Sequence, residues 1–309
     1  MRRAIALMLA GIGILCAAAL VWVRSRLRGV PKPVTGIFSN GMGYARLGTG
    51  PRTALFIRGG PGNVVPMGQL FLASSVQILR PFLDSGYTMW VVTRKRNMPQ
   101  GYRIEDMAED YASLIADEFG GQVQLVIGEE PYGGMIGFCL AAWHADLFDH
   151  IAVLLAATEM SKEGKEFELG FAELMNEHRT SEAGALLLRV LLPELRMPGI
   201  ERVLGAALVR FAFGKLHPYF ASDVLVEAKA VAAFEGTPVL PQITKPVLLI
   251  GCDRDEAFSA ETYEKSARLI PDCTLRMYED KTAIQAITDR RIATDVLDFV
   301  QQRPVTRTA

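Results

Sequence analysis

Val126-Ile127-Gly128-Glu129-Glu130-Pro131-Tyr132-Gly133-Gly134 is the stretch on which the reading of this chain turns. The apolar run from Val123 to Ile127 has the length and content of a buried strand, and the pattern from Gly134 to His144 is that of a helix. A tight turn joins them. The same alternation continues in both directions. Strands are expected near Met42–Leu47, Ala54–Ile57, Thr88–Val92, His150–Leu155, Pro246–Ile250 and Thr274–Met277. Helices are expected near Gln69–Phe82, Ile104–Phe119, Ala260–Leu269 and Ile292–Gln301. Strand, helix, strand at this spacing implies an α/β fold, a mostly parallel sheet covered by helices on both faces.

The stretch from Ser161 to about Phe234 breaks that rhythm. It is rich in Ala, Leu, Glu and Arg at helical spacing and holds no convincing strand, so it reads as a helical cap inserted between two strands. Within it, Leu186-Leu187-Leu188 and Val203-Leu204 read first as packing against the core. The chain divides into residues 1–30, a segment with basic flanks; 31–160, the first part of the core; 161–240, the cap; and 241–309, the rest of the core.

Ala4 to Val23 is a run of 20 residues without a charge, bracketed by Arg2-Arg3 and by Arg24, Arg26 and Arg28. At about 1.5 Å per residue it matches the roughly 30 Å hydrocarbon core of a bilayer, and reads as a single transmembrane helix. A cleaved signal peptide is the rival, with Ala17-Ala18-Ala19 as the small residues, but the apolar run continues past them and then turns basic. The charges on the two flanks are too nearly balanced to orient the span. The scattered cysteines lean toward the cytoplasm, since 16, 139, 252 and 273 form no disulfide framework. A linker with Pro31, Pro33 and Gly36 follows.

The 309 residues carry 33 basic and 34 acidic side chains, a formal charge of -1, so no field draws nucleic acid. No Cys/His spacing suggests a metal, and the glycine loop at Gly59 lacks the G-K-[ST] ending of a phosphate cradle, so neither metal nor cofactor is expected. The run Thr93-Arg94-Lys95-Arg96 reads as a solvated loop after a strand. Cys139 and Cys252 read as small buried hydrophobes.

Three segments together resemble one family. Arg58-Gly59-Gly60-Pro61-Gly62 after a strand looks like the H-G-G-P-G loop of prolyl-iminopeptidase-like α/β-hydrolases. Tyr132-Gly133-Gly134-Met135 is similar to the S-Y-G-G-M end of their nucleophile elbow, and Val247–Ile250 followed by Asp253-Arg254-Asp255 is similar to the strand and turn that bear the catalytic acid. The resemblance spans about residues 40 to 302, with the cap where such enzymes carry a lid. It implies an α/β-hydrolase fold. Acyl transfer in that family needs a nucleophile on the elbow, a histidine base, a carboxylate to orient it and two N–H donors for the oxyanion.

With Tyr-Gly-Gly setting the register, the nucleophile position holds Pro131, which has no attacking group and whose ring holds φ near about -65°, where the elbow needs φ above zero. Glu129 replaces the usual glycine two residues earlier and would crowd the turn. Sliding by one puts Glu130 at the nucleophile position behind Gly128, but Pro131 would then lack the N–H of the oxyanion hole. The base position aligns with Ala283, and the last histidine of the chain is His217, so none follows the acid strand. Asp255 persists at the acid position and, with no histidine to orient, reads as a turn or helix-capping carboxylate. Gly59, Gly60 and Tyr132 form the oxyanion-hole-like set, and Arg58, Glu129 and Glu130 are charges expected in the pocket. One of the two glutamates is expected to pair with Arg58 or Arg94.

His144 and His150 read as surface or helix-end residues, and His178 and His217 fall in the cap, His217 near enough to a pocket to be weighed as a base. Two functions follow. One is a membrane-anchored pseudo-hydrolase without nucleophile or base, kept as a ligand-binding or interaction module, with the membrane and a small molecule in the former active-site pocket as partners. The alternative is a hydrolase of a small ester or amide using an unconventional set such as Glu130 with His217.

Overall fold

Most strands of the central sheet are short and apolar, and from the third strand onward each is followed by a helix. The computed structural model describes residues 30–64, 69–191, 198–213 and 216–303, with isolated positions between 21 and 28. In chain order the elements are β1 (Val34–Ile37), β2 (Met42–Leu47), β3 (Arg52–Ile57), α1 (Gln69–Asp84), β4 (Tyr87–Lys95), α2 (Ile104–Glu118), β5 (Val123–Glu129), α3 (Tyr132–Trp143) and β6 (Phe148–Leu154). Then come α4 (Lys162–Asn176), α5 (Thr180–Leu191), α6 (Pro198–Phe213), α7 (Phe220–Ala233), β7 (Val247–Cys252), α8 (Ala260–Leu269), β8 (Cys273–Tyr278), α9 (Ala283–Ile287) and α10 (Arg291–Gln302).

The strands form one sheet in the order β1-β2-β4-β3-β5-β6-β7-β8. β1 and β2 join it antiparallel, and every pairing from β4 to β8 is parallel. Alternation along β3 shows how both faces are filled, because successive side chains of a strand point to opposite sides. Leu55 and Ile57 join the cluster under α2, α3 and α8, whereas Ala54 and Phe56 join the cluster under α1 and α10. The expected mostly parallel sheet with helices on both faces is therefore present.

The chain leaves the sheet after β6, builds α4 to α7, and returns as β7 beside β6. The cap has a small core of its own, with Phe171 and Met175 of α4, Val209 of α6 and Phe220 and Val224 of α7. α5 and α6 cross at Gly184 and Gly205, where a Cβ on either residue would lie 2.1 to 2.3 Å from the other helix's backbone. Glycine is what allows that approach.

Some expectations change. The linker at Pro31–Gly36 is partly strand, since Val34–Ile37 pairs with Gly43–Arg46, and Gly36 is needed there because a Cβ would meet the Tyr44 hydroxyl at 2.5 Å. Val203 and Leu204 do not pack inward, being 67% and 39% exposed. The apolar run from Ala4 to Val23 lies almost wholly outside the described residues, and among those described no helix is long and apolar enough to cross a membrane.

Candidate functional site

The turn between β5 and α3 sits at the C-terminal edge of the sheet, where open α/β folds bind their ligands. Gly133, two residues past Pro131, lies hard against β3, and a Cβ there would meet the Ile57 carbonyl oxygen at 2.1 Å. Pro131 caps α3 at φ -85° and ψ -30°, and its carbonyl accepts the Met135 N–H at 3.1 Å. The Glu130–Pro131 peptide is cis. Among the described residues the non-glycine positions with positive φ are Asn97, Leu155, His178 and Asp280, so no residue of this turn has the backbone of a nucleophile elbow.

Glu129 does not crowd the turn. Its side chain leaves β5 sideways and accepts the Gly59 N–H at 2.9 Å, with the Arg58 guanidinium 3.8 Å away. The Gly60 N–H donates to the Glu130 carbonyl at 2.8 Å. A Cβ on Gly59 would stand 1.8 Å from that same carbonyl, which is why the loop needs glycine here. Both N–H groups expected of the oxyanion-like loop are thus bonded to the turn opposite. Burial pulls the Arg58 guanidinium down to about 10, against the opposing pull of Glu129, and leaves it charged at neutral pH.

The basic run after β4 is not a solvated loop. Arg94 is 1% exposed and pairs at 2.8 Å with Glu227 of α7, itself fully buried. The guanidinium also donates to the carbonyls of Arg58 (2.5 Å), Gly60 (2.8 Å) and Gly62 (3.2 Å), while the second oxygen of Glu227 accepts the Gly62 N–H at 2.7 Å. This ion pair bolts the glycine loop to the cap. Tyr132 lies beneath the guanidinium, 4.7 Å from ring centroid to charge, and its hydroxyl donates to Glu168 of α4 at 2.6 Å.

A cavity of about 360 Å³ opens between this turn and the cap. Pro131, Asp255 and Ala283, the three positions aligned with a triad, all line it, together with Glu130 and Glu168. One oxygen of Asp255 accepts the N–H groups of Ala257 (2.8 Å) and Phe258 (3.2 Å), and the other accepts the Tyr263 hydroxyl at 2.6 Å. Its work is to hold the turn ahead of α8. Ala283 opens α9, whose capping box is Thr282 with Gln285.

No serine, cysteine or histidine is among the described residues that line this cavity. Thr282 is the one hydroxyl there, and its oxygen accepts the Gln285 N–H as the helix cap. His217 is not on the wall. Its Nε2 lies 2.7 Å from the Asn63 oxygen, in a network where Asp223 takes the N–H groups of Asn97 and Met98. His144 bonds Glu109 at 2.8 Å and His150 the Arg303 carbonyl at 2.5 Å. Cys139 and Cys252 are buried, and burial pushes both thiols up, away from thiolate chemistry. Among the described residues no group of three His, Cys, Asp or Glu side chains could hold a metal ion.

The cavity floor is acidic. Burial raises Glu130 well above the usual carboxylate range, and the charges of Asp255, Glu168 and Glu129 push the same way. Burial also raises Asp255, against its hydrogen bonds, and lifts Glu168 to about 7 despite the Tyr132 hydroxyl. Sequence reasoning missed Glu168, Tyr263 and Glu227. The last had a signal, since Asp223 and Glu227 stand four residues apart, on one face of the mostly apolar Phe220–Ala233.

No protein-family model matches the chain, and no curated protein does. Solved structures do. A thermophilic esterase from Thermogutta terrifontis superposes with a TM-score of 0.64 at 17% identity, over 89% of this chain and 100% of its own. An α/β-hydrolase enzyme from a Medee basin deep-sea metagenome library gives 0.68 at 13%, over 89% and 100%. A membrane phospholipase A, described as a bacterial virulence factor, gives 0.64 at 19%, over 98% and 99%.

Proposed function

On this α/β-hydrolase fold, we propose a pseudo-hydrolase, tethered to a membrane by residues 1–30 and retained as a ligand-binding or interaction module. One observation carries the reading: the wall where nucleophile, base and acid would converge bears Pro131, Ala283 and a carboxylate already held by Ala257, Phe258 and Tyr263. Losing nucleophile and base costs on the order of 10⁶ in rate, leaving the modest residue contributed by binding and oxyanion contacts. Here the Gly59 and Gly60 N–H groups are bonded to Glu129 and Glu130, so even that residue is reduced. The set Glu130 with His217 has no geometry in its favour, since His217 bonds Asn63 away from the cavity.

The membrane part rests on the apolar run from Ala4 to Val23 and its arginine flanks. The unpaired cysteines favour a cytoplasmic domain.

The purified protein should show no turnover of a p-nitrophenyl ester above background and no labelling by a serine-directed phosphonate. Covalent labelling or clear turnover would overturn the reading. Glu129→Gly, Pro131→Ser and Ala283→His together should restore measurable hydrolysis, and an inert but folded triple variant would count against the alignment.

A further inference from the structure

The cavity has two kinds of surface. Its floor carries Glu130 and Asp255, and its walls are apolar, with Met160 and Phe167 of the α4 region, Val190 and Leu191 of α5, and Ile284 of α9. Asp255 and Glu168 have their hydrogen bonds made, to Tyr263 and to Tyr132. Glu130 differs from both: its carboxyl accepts no hydrogen bond from any described residue, and the half-buried side chain lines the cavity. A carboxyl so placed has no protein partner in the fold and is open to one supplied from the cavity.

We propose that the cavity binds an organic ammonium ion with an apolar body, its cationic head seated at Glu130 and Asp255 and its tail against Phe167, Val190 and Leu191. The proposal rests on the reading that the pocket binds without hydrolysing, and names the class of ligand. The charges around the floor select for a cation: Glu130 on the β5–α3 turn, Glu129 at the end of β5, Glu168 and Glu163 on α4, and Asp255 and Glu256 before α8, against Arg254 at the rim. Arg58 is held by Glu129 on the far side of the turn. A carboxylate ligand would meet like charge. An uncharged one without a donor would leave Glu130 unpaired. The cation gives the carboxyl its missing partner and relieves its repulsion from Asp255 and Glu168. Burial makes Glu130 hold its proton more tightly than an exposed carboxyl does, so cation binding is linked to loss of that proton, and affinity should rise by up to about tenfold for each unit the pH is raised until the free carboxyl ionises.

The full chain in mild detergent can be titrated calorimetrically with n-pentylamine, pentanoate and n-pentanol, short probes that keep partition into micelles small. Pentylammonium should bind at least tenfold more tightly than either isostere and release close to one proton, read by repeating the titration in buffers of different ionisation enthalpy. Glu130→Gln should weaken the amine at least tenfold and leave pentanol unchanged. Equal binding of pentanol, preference for pentanoate, or no amine binding by the folded protein would overturn the proposal. If Glu130→Gln fails to fold, the proton release and the pH dependence of the unaltered chain decide alone, and pH-independent binding overturns it. Ester turnover in the same preparation tests the non-hydrolytic reading separately, so the two can fail independently.

Discussion

At the scale of single residues, the decisive feature is how carboxylates are used. Glu227 is buried and serves two masters at once, the Arg94 guanidinium and the Gly62 N–H. Removing one member of such a pair strands the other charge in a medium that cannot solvate it. Glu227→Ala should therefore destabilise the fold by about 3–5 kcal/mol in urea unfolding, far above the roughly 0.5 kcal/mol of a surface change. A loss under about 1 kcal/mol would show that water replaces the partner. Glu168 behaves oppositely. Its folded value, about 7 against an ordinary 4.5, means the folded state holds the proton more tightly than the unfolded one. Ionising it thus costs stability, fully above pH about 7 and not at all well below 4.5. Glu168→Gln keeps an acceptor for Tyr132 and should raise stability by roughly 2 to 3 kcal/mol at pH 8 while changing little near pH 4. Melting curves at the two pH values check the sign.

At the scale of elements, the cap is two kinds of structure. α7 is joined to the core by buried polar bonds from Asp223 and Glu227, whereas α5 and α6 meet each other across Gly184 and Gly205. Gly205→Ala places a methyl 2.3 Å from the Gly184 backbone and should part the two helices. The expected loss is about 1–3 kcal/mol, with faster limited proteolysis in α5 and α6 and none in α7. Unchanged melting and proteolysis would mean the helices separate without cost. The helical character of residues 161–240 was legible, because period and composition are local properties. β1 was not, because its four residues are mostly exposed and it is a strand only through pairing with β2. α9 is similar: five residues are too few for a period, although Thr282 and Gln285 spell a capping box.

At the scale of the whole molecule, the chain joins an apolar, arginine-flanked N-terminal run to an α/β-hydrolase fold. If that run is an anchor, the full-length protein should stay in the membrane pellet after alkaline carbonate extraction, and release into the supernatant would refute the tether. The amino-acid order by itself determined the alternation of strands and helices, the inserted cap, and the absence of a nucleophile at 131 and of any histidine after 217. These are matters of composition and local period. Only the tertiary structure decided that Arg94 lies buried against Glu227, that Glu129 turns aside to Gly59, and that Glu130 shares one cavity wall with Asp255 and Glu168. Those partners stand 133, 70 and up to 125 residues apart. Whether a charge is solvated or paired depends on what the folded chain brings beside it, and side-chain spacing along the sequence carries no record of that.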